Sequence, residues 1–203
     1  MQKLLFALLF LLINLSQQLE GNATEVEESG KEAVCEPGWV PYTRTSKNGE
    51  NVVMCHFMTD IWGQFDTVRR RCREEHNAVI STFTTEEEYD ILVNLTNNRP
   101  DNYKGYRFFI GYYKTRACEW IAVRTSNENG CTLENCFYSY EPGSDEITPE
   151  VRKLVASKFR HTEPDGSGQA LGVFEGKILD EQVNHVNGYG MCMKKAEKKK
   201  KST

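Results

Sequence analysis

The spacing of apolar positions divides the body of the chain into strand-like and helix-like stretches. Residues 51–57 and 78–83 are short runs rich in β-branched, aromatic and other apolar side chains, which is typical of strands. Residues 108–112 form a denser apolar run and predict a strand in the core. Threonine followed by proline at 148–149 predicts the start of a short helix through Lys158.

Two further helices are predicted between these strands. Phe65, Val68 and Cys72 recur at the spacing of one helical face. Thr85 and Glu88 stand three residues apart and form a capping box, which marks the start of the second helix. The apolar stripe of that second helix consists of Tyr89, Leu92 and Leu95.

The two ends of the chain differ from its body. A lysine at position 3 precedes an apolar run, and polar residues follow it, as in a secretory signal peptide. A membrane helix needs about 20 apolar residues, so no membrane span is expected and the mature protein should be secreted. The predicted segments are a signal peptide (1–20), an acidic flexible lead-in (21–34), a folded domain (35–194) and a lysine-rich tail (195–203).

Charge is distributed unevenly along the chain. The net charge is -4, although residues 194–203 carry six lysines and one glutamate. The remaining body is acidic and offers no broad basic surface, so nucleic acid is not an expected partner. The lysine tail either contacts polyanions such as sulfated glycans or is simply solvated.

The seven cysteines all fall between Cys35 and Cys192. In the oxidising compartment that a signal peptide implies, they are typical of a disulfide framework. Their odd number predicts either a free thiol or a disulfide-linked dimer.

Two short acidic motifs flank a glycine-rich loop near the end of the domain. The first is Glu163-Pro164-Asp165, and the second ends at Asp180. Proline fixes the backbone between the first two carboxylates, so both side chains can point to one spot and offer oxygens to calcium. The order proline-aspartate-glycine is also typical of a surface turn, so the residues alone leave both interpretations open.

Several motifs follow one another in a characteristic order. Cys-x-x-Gly-Trp at 35–39 precedes Cys-x-Phe at 55–57, a helix that ends on Cys72, and Phe-Ile-Gly-Tyr at 109–112. This order resembles that of a C-type-lectin-like domain of the long form, of the type found in secreted invertebrate members. The resemblance implies an α+β fold in which two helices flank small antiparallel sheets, with a long loop region and stapling disulfides.

The resemblance also implies a ligand site. Sugar-binding members of the family hold one calcium ion with Glu-Pro-Asn, a following Glu and Trp-Asn-Asp, and the same oxygens grip sugar hydroxyls. Carried across, the calcium-binding and ligand-binding residues are Glu163, Asp165, Gln169 and Asp180. Leu179 stands where the family has Asn and offers no oxygen. Since calcium takes about six to eight oxygen ligands, we expect calcium, the one cofactor implied, to bind weakly or not at all.

Two disulfides are implied by the family pattern, Cys35–Cys55 and Cys72–Cys192. The family's other pair falls at Leu171 and Val183, which are apolar here. We expect these two side chains to be buried in contact, because packing then replaces part of what a disulfide contributes.

The three remaining cysteines lie in or beside an inserted loop. Cys118 and Cys136 flank it, a placement seen in some invertebrate members of the family, so this pairing is the one the resemblance implies. Cys131 is then left over and becomes the candidate for a disulfide-linked homodimer.

Two Asn-x-Thr sequons, at Asn22 and Asn94, predict N-glycosylation. Asn94 is the better site because it lies within the predicted folded domain and survives signal cleavage.

The function classes follow from these features. Four histidines have no motif partner and no serine lies in a nucleophile-elbow sequence, so an enzyme is not expected. A secreted binding protein with a degraded calcium site, whose partner is a glycan or a cell-surface or secreted protein, is the favoured interpretation. The alternatives are a calcium-dependent mannose-type lectin and a metal-independent inhibitor or toxin-like binder.

Overall fold

The computed structural model describes residues 33–46, 48–99, 105–118, 130–132, 135–139, 147–184 and 187–198. These residues belong to one compact unit. The predicted signal peptide, the first part of the acidic lead-in with Asn22, and tail residues 199–203 lie outside them.

All three predicted helices are present. Helix α1 spans Phe65–His76, α2 spans Glu86–Asn97 and α3 spans Pro149–Lys158. The Oγ1 atom of Thr85 accepts a hydrogen bond from the Glu88 N–H, so the predicted cap starts α2. Among the described residues, none of the helices combines the length and apolar character needed to cross a membrane.

The strands of the described residues are β1 (Ala33–Val34), β2 (Val40–Thr45), β3 (Asn51–Gly63), β4 (Val79–Ile80), β5 (Phe108–Lys114), β6 (Phe137–Ser139), β7 (Ala170–Phe174), β8 (Lys177–Glu181), β9 (Gly188–Lys195) and β10 (Glu197–Lys198). Eight of them form the main sheet, whose principal path runs in the order β2-β3-β9-β5-β7-β8. The short strands β4 and β6 pair with β9 and β5, and among these described strands only the β5–β9 pairing is parallel. A separate two-stranded sheet joins β1 to β10.

Strand β5 separates two hydrophobic clusters. Successive side chains on a strand point to opposite faces, so Phe108 and Ile110 enter the first cluster and Phe109 enters the second. The first cluster contains the buried apolar side chains of α2 and α3, and the second those of α1. The fold is therefore the predicted α+β arrangement of helices against sheet.

A buried ionic network joins α2 to the sheet. The Oε1 atom of Glu88 accepts hydrogen bonds of 2.8 Å from Nε of Arg44 and from Nε2 of His56. Its Oε2 atom accepts one of 2.7 Å from the Thr84 N–H. All three charged or titratable side chains are buried, so the network fixes α2 on strands β2 and β3.

Two predicted disulfides are confirmed. Cys35 is bonded to Cys55, and Cys72 is bonded to Cys192. The second bridge links residues 120 positions apart and ties α1 to β9.

The predicted third pairing, Cys118–Cys136, is wrong. Cys118 ends a 3₁₀ turn and is bonded to Cys131, with Cα atoms 5.8 Å apart. Cys136 is instead buried and keeps its thiol, and its carbonyl oxygen accepts a hydrogen bond from the Thr115 N–H just after β5. Because Cys131 is already bonded, the predicted homodimer through it is excluded for this disulfide pattern, and the leftover thiol lies in the core.

The alignment of Leu171 with Val183 also needs correction. Leu171 is buried in the first cluster and pairs in register with Asp180. Val183 is only partly buried and packs against the second cluster. The two side chains therefore lie on different faces of the sheet, and Ala170 is the residue of β7 that shares a cluster with Val183.

Candidate functional site

Three of the four predicted ligand residues converge at one edge of the sheet. Carboxylate oxygens of Glu163, Asp165 and Asp180 lie within 4.8 Å of one another. Asp180 is buried on β8, whereas Glu163 and Asp165 belong to the loop between α3 and β7 and are half-buried and exposed. We refer to these three residues as the acidic cluster.

Asp180 organises the loop that carries the other two carboxylates. Its Oδ1 atom accepts a hydrogen bond of 3.1 Å from the Asp165 N–H. Its Oδ2 atom accepts bonds from the N–H groups of Gly166 and Gly168, at 3.2 and 3.4 Å. A Cβ atom on Gly168 would lie 2.0 Å from the carbonyl carbon of Glu181, so only glycine fits this close approach.

The Glu163–Pro164 peptide bond is cis. The Oε2 atom of Glu163 accepts a hydrogen bond of 3.1 Å from the Asp165 N–H, and Oδ1 of Asp165 accepts one of 2.8 Å from the Ser167 N–H. The motif thus brings both carboxylates to the same turn, as the sequence predicts, and its hydrogen bonds are also those of a turn.

A buried lysine completes the charge balance of the acidic cluster. The Nζ atom of Lys114, the last residue of β5, donates a hydrogen bond of 2.9 Å to Oδ2 of Asp180. Both side chains have no solvent exposure. The sequence-based reasoning missed Lys114, although a charged residue that ends a dense apolar run was a signal for a buried partner.

The side chain of Gln169, the fourth predicted ligand, is oriented toward Tyr113. Its Oε1 atom accepts a hydrogen bond of 2.8 Å from the hydroxyl of Tyr113. Its backbone joins β5 to β8, since its N–H donates to the Glu181 carbonyl and its own carbonyl accepts from the Lys114 N–H. Gln169 therefore positions the strands beside the cluster.

Crowding of carboxylates changes their protonation. Burial raises the pKa of Glu163 to about 7, and a hydrogen bond to Asp180 and the charges of Asp165 and Asp180 add to the effect. Burial also raises the pKa of Glu181, an effect that its ion pair with Arg107 counteracts.

The donor set fits a calcium ion poorly. Calcium takes about six to eight oxygens, and the family pattern supplies one of them from the position of Leu179. Leu179 is buried with its Cδ1 atom near Gly172, and Asp180 already accepts from an ammonium group and three backbone N–H groups. What remains is two loop carboxylates next to an internal cation.

The predicted glycosylation site Asn94 lies on the last turn of α2, and its side chain is exposed. The hydroxyl of Thr96, the third residue of the sequon, donates to the Val93 carbonyl.

No family model and no curated protein matches the sequence significantly. Solved structures match its fold. Human lithostathine has a TM-score of 0.52 at 12% identity, covering 79% of this chain and 99% of that chain. The C-type carbohydrate-recognition domain of cow CD23, solved with a GlcNAc2Man3 oligosaccharide, has a TM-score of 0.50 at 14% identity, covering 82% and 99%.

A third structure, the EPNH mutant of CEL-I, has a TM-score of 0.50 at 11% identity and covers 78% of this chain and 95% of its own. Identities this low establish the fold alone. The α+β arrangement of helices against sheet and the two confirmed disulfides agree with the architecture that the resemblance implies. On these grounds the chain has the fold of a C-type-lectin-like domain.

Proposed function

We propose that this chain is a secreted binding protein that recognises a glycan or an extracellular protein without a resident calcium ion. The observation that supports this proposal most directly is the buried ion pair between Lys114 and Asp180. It places the Nζ atom of Lys114 against the carboxylate that would otherwise be the deepest metal ligand.

Electrostatics explain why such a pair disfavours calcium. An ammonium group in contact with Asp180 offsets the negative charge that attracts a divalent cation, and repels any cation that approaches the same carboxylate. Both groups are excluded from water, so this repulsion is screened far less than at an exposed surface. A cation at the acidic cluster would therefore have to displace Lys114 or bind only Glu163 and Asp165.

Binding rather than catalysis is the proposed activity. Around the acidic cluster the described partners are carboxylates, backbone amides, one ammonium group, the Tyr113–Gln169 pair and the Ser167 hydroxyl, which donates to the Asp180 carbonyl. These groups hydrogen-bond a ligand or hold the loop in place, and none of them is an activated nucleophile. The structural neighbours named as carbohydrate-recognition domains support the same class of function.

Calorimetry with calcium chloride tests the proposal. Wild type should show no binding in the micromolar range. A triple variant, Lys114→Met with Leu179→Asn and Gln169→Glu, removes the internal cation and restores the family's oxygens, and should bind calcium at least tenfold more tightly. Micromolar calcium affinity in wild type would contradict the proposal.

A glycan array probed with and without a chelator completes the test. Binding that survives the chelator supports metal-independent recognition. Mannose-type binding that the chelator abolishes would establish a calcium-dependent lectin instead.

A further inference from the structure

Three aromatic side chains form a contiguous surface at the end of the sheet away from the acidic cluster. The ring centroids of Trp62 and Tyr106 are 5.1 Å apart, those of Trp62 and Tyr189 4.8 Å, and those of Tyr106 and Tyr189 5.7 Å. Trp62 is 41% exposed and Tyr106 is 40% exposed. We refer to these three residues as the ring platform.

The ring platform is built on the core and does not depend on a loop alone. Trp62 at the end of β3 lies in register with Tyr189 at the start of β9. The ring of Tyr189 stacks on buried Phe108 at 5.8 Å, and its N–H donates to the Arg107 carbonyl. Two of the three rings are therefore fixed by paired strands, which preorganises the surface.

Such exposure of large rings is unusual within the described residues. The exposed large hydrophobic side chains there are Trp62, Tyr106 and Tyr138, and the first two touch each other. Exposed apolar side chains that are scattered singly need no explanation, whereas a contiguous set marks a binding surface.

A fixed polar pair stands beside the rings. Asp60 and Trp62 are both exposed on either side of buried Ile61, in the part of β3 where the register with β9 shifts. Asp60 is 79% exposed and forms an ion pair with Arg99. The Nη2 atom of Arg99 also donates to the carbonyls of Met58 and Thr59, each at 2.7 Å. The carboxylate is thus held in place while it remains open to solvent.

Contacts among the rings decide which ligand chemistry fits. A cation cage needs rings on opposite sides of the cation, each within about 6 Å of it. These rings touch edge to face or at a tilt, with centroids 4.8 to 5.7 Å apart, and leave no space between them. A stable protein interface buries about 800 Å² on each partner, much more than a surface of three partly exposed rings supplies.

We infer that the ring platform and the Asp60–Arg99 pair form a binding site for a pyranose sugar, separate from the acidic cluster. The C–H face of a pyranose ring packs on an exposed aromatic face, and its hydroxyls hydrogen-bond to a charged pair at the margin. Tyr189 of the platform contacts Phe108 at the start of β5, whereas Asp180 of the acidic cluster contacts Lys114 at the end of that strand.

This inference rests on the proposed function only in treating the chain as a binding protein, since no step at the platform involves calcium. The experiment is a titration of wild type, with chelator present, against mannose, galactose and N-acetylglucosamine trisaccharides, followed by tryptophan fluorescence and by saturation-transfer NMR. At least one trisaccharide should bind. Trp62→Ala should weaken its binding at least tenfold, and Trp62→Phe should lose less because a ring remains.

The matched control is Tyr138→Ala, which removes an equally exposed aromatic ring elsewhere on the surface and should leave affinity unchanged. Asp60→Asn should weaken binding and leave the circular dichroism spectrum as in wild type, which separates a ligand contact from a loss of folding.

Three outcomes would overturn the inference: no trisaccharide binds wild type, Trp62→Ala binds as tightly as wild type, or a protein ligand contacts Trp62 and no trisaccharide competes with it. If Asp165→Asn loses sugar binding and Trp62→Ala keeps it, the ring platform is not the sugar site, and the proposed function is unaffected. If Trp62→Ala loses sugar binding while wild type binds calcium with micromolar affinity, the ring platform is supported and the proposed function is contradicted.

Discussion

Lys114 and Asp180 form a fully buried ion pair in which Nζ lies 2.9 Å from Oδ2. Lys114 ends the central strand β5, and Asp180 lies on β8 at the edge of the sheet, with β7 between them. The pair therefore joins the core to the loop that carries Glu163 and Asp165. It also places an ammonium group on the carboxylate that the family pattern assigns to a cation.

Removing the lysine tests both consequences. Lys114→Met leaves Asp180 buried without its counter-charge, and breaking a buried ion pair in this way costs about 3–5 kcal/mol. We expect this loss in the free energy of unfolding from chemical denaturation at pH 7. Adding millimolar calcium should recover part of it, because the unpaired carboxylate then becomes a cation ligand.

Two variants serve as controls for that measurement. Lys177→Met removes an exposed lysine on β8 and should leave the unfolding free energy near that of wild type. Lys114→Met combined with Asp180→Asn should recover part of the stability, because a neutral amide needs no counter-charge. Wild-type stability in Lys114→Met would show that the pair contributes nothing.

Glu163 predicts a pH dependence whose sign is fixed by its pKa. Burial and the neighbouring carboxylates raise this pKa from 4.5 to about 7 in the folded chain. The folded state then binds more protons than the unfolded state between these values, so this group makes stability fall as pH rises from 4.5 to about 7. Glu163→Gln should remove that fall and give a higher Tm than wild type at pH 8.

The comparison needs thermal unfolding curves at pH 4, 5, 6, 7 and 8 for both proteins. Asp165 is exposed in the same turn, and Asp165→Asn relieves only one of the charges that act on Glu163. It should therefore flatten the profile less than Glu163→Gln does. Parallel profiles for wild type and Glu163→Gln would contradict the raised pKa.

Periodicity and capping signals predict most of the fold because they are local. The face of Phe65, Val68 and Cys72, the cap at Thr85 and the run at 108–112 each correspond to an observed element. The carboxylates of Glu163, Asp165 and Asp180 also meet as the motif order predicts. These local signals do not predict the contact between Lys114 and Asp180, because it depends on the register of strands β5, β7 and β8.

The cysteine pairing was mispredicted for a similar reason. Cys131 and Cys136 are five residues apart, so sequence spacing does not decide which of them meets Cys118. The backbone hydrogen bond between Thr115 and Cys136 holds Cys136 beside β5 with its side chain in the core. Cys131 is the residue that bonds to Cys118.

The corrected pairing predicts one protected thiol per chain. Cys136 has no exposure, and burial raises the pKa of its thiol to about 12, so the reactive thiolate is scarce at neutral pH. Native protein should resist iodoacetamide, and protein unfolded in guanidinium should take up one label, which peptide mapping locates at Cys136. Cys136→Ala should take up none under either condition. Label on Cys131, or a reducible dimer, would contradict the pairing.

Glu88 predicts a strong and pH-dependent contribution to stability. Burial alone raises the pKa of its carboxyl, but the hydrogen bonds and charges of His56 and Arg44 outweigh burial, and the pKa lies below its usual 4.5. A depressed carboxyl pKa stabilises the fold above the unfolded-state value, and this contribution is lost as pH falls through the folded-state value. The effect should appear as a decline in stability below pH 4.5.

Glu88→Gln keeps the shape of the side chain and removes the charge that Arg44 and His56 share. Because it removes the carboxylate that balances the charge of the buried Arg44 guanidinium, we expect a loss of about 3–5 kcal/mol in the free energy of unfolding at pH 7. The loss should shrink at pH 3, because below pH 4.5 the unfolded chain takes up a proton at this carboxyl more readily than the folded wild type does. Asp90→Asn, which removes an exposed carboxylate from the same helix, should leave stability near wild type at both pH values. Equal losses for Glu88→Gln at pH 7 and pH 3 would contradict this prediction. They would mean that the charge of Glu88 does not stabilise the network and that only its hydrogen-bond geometry does.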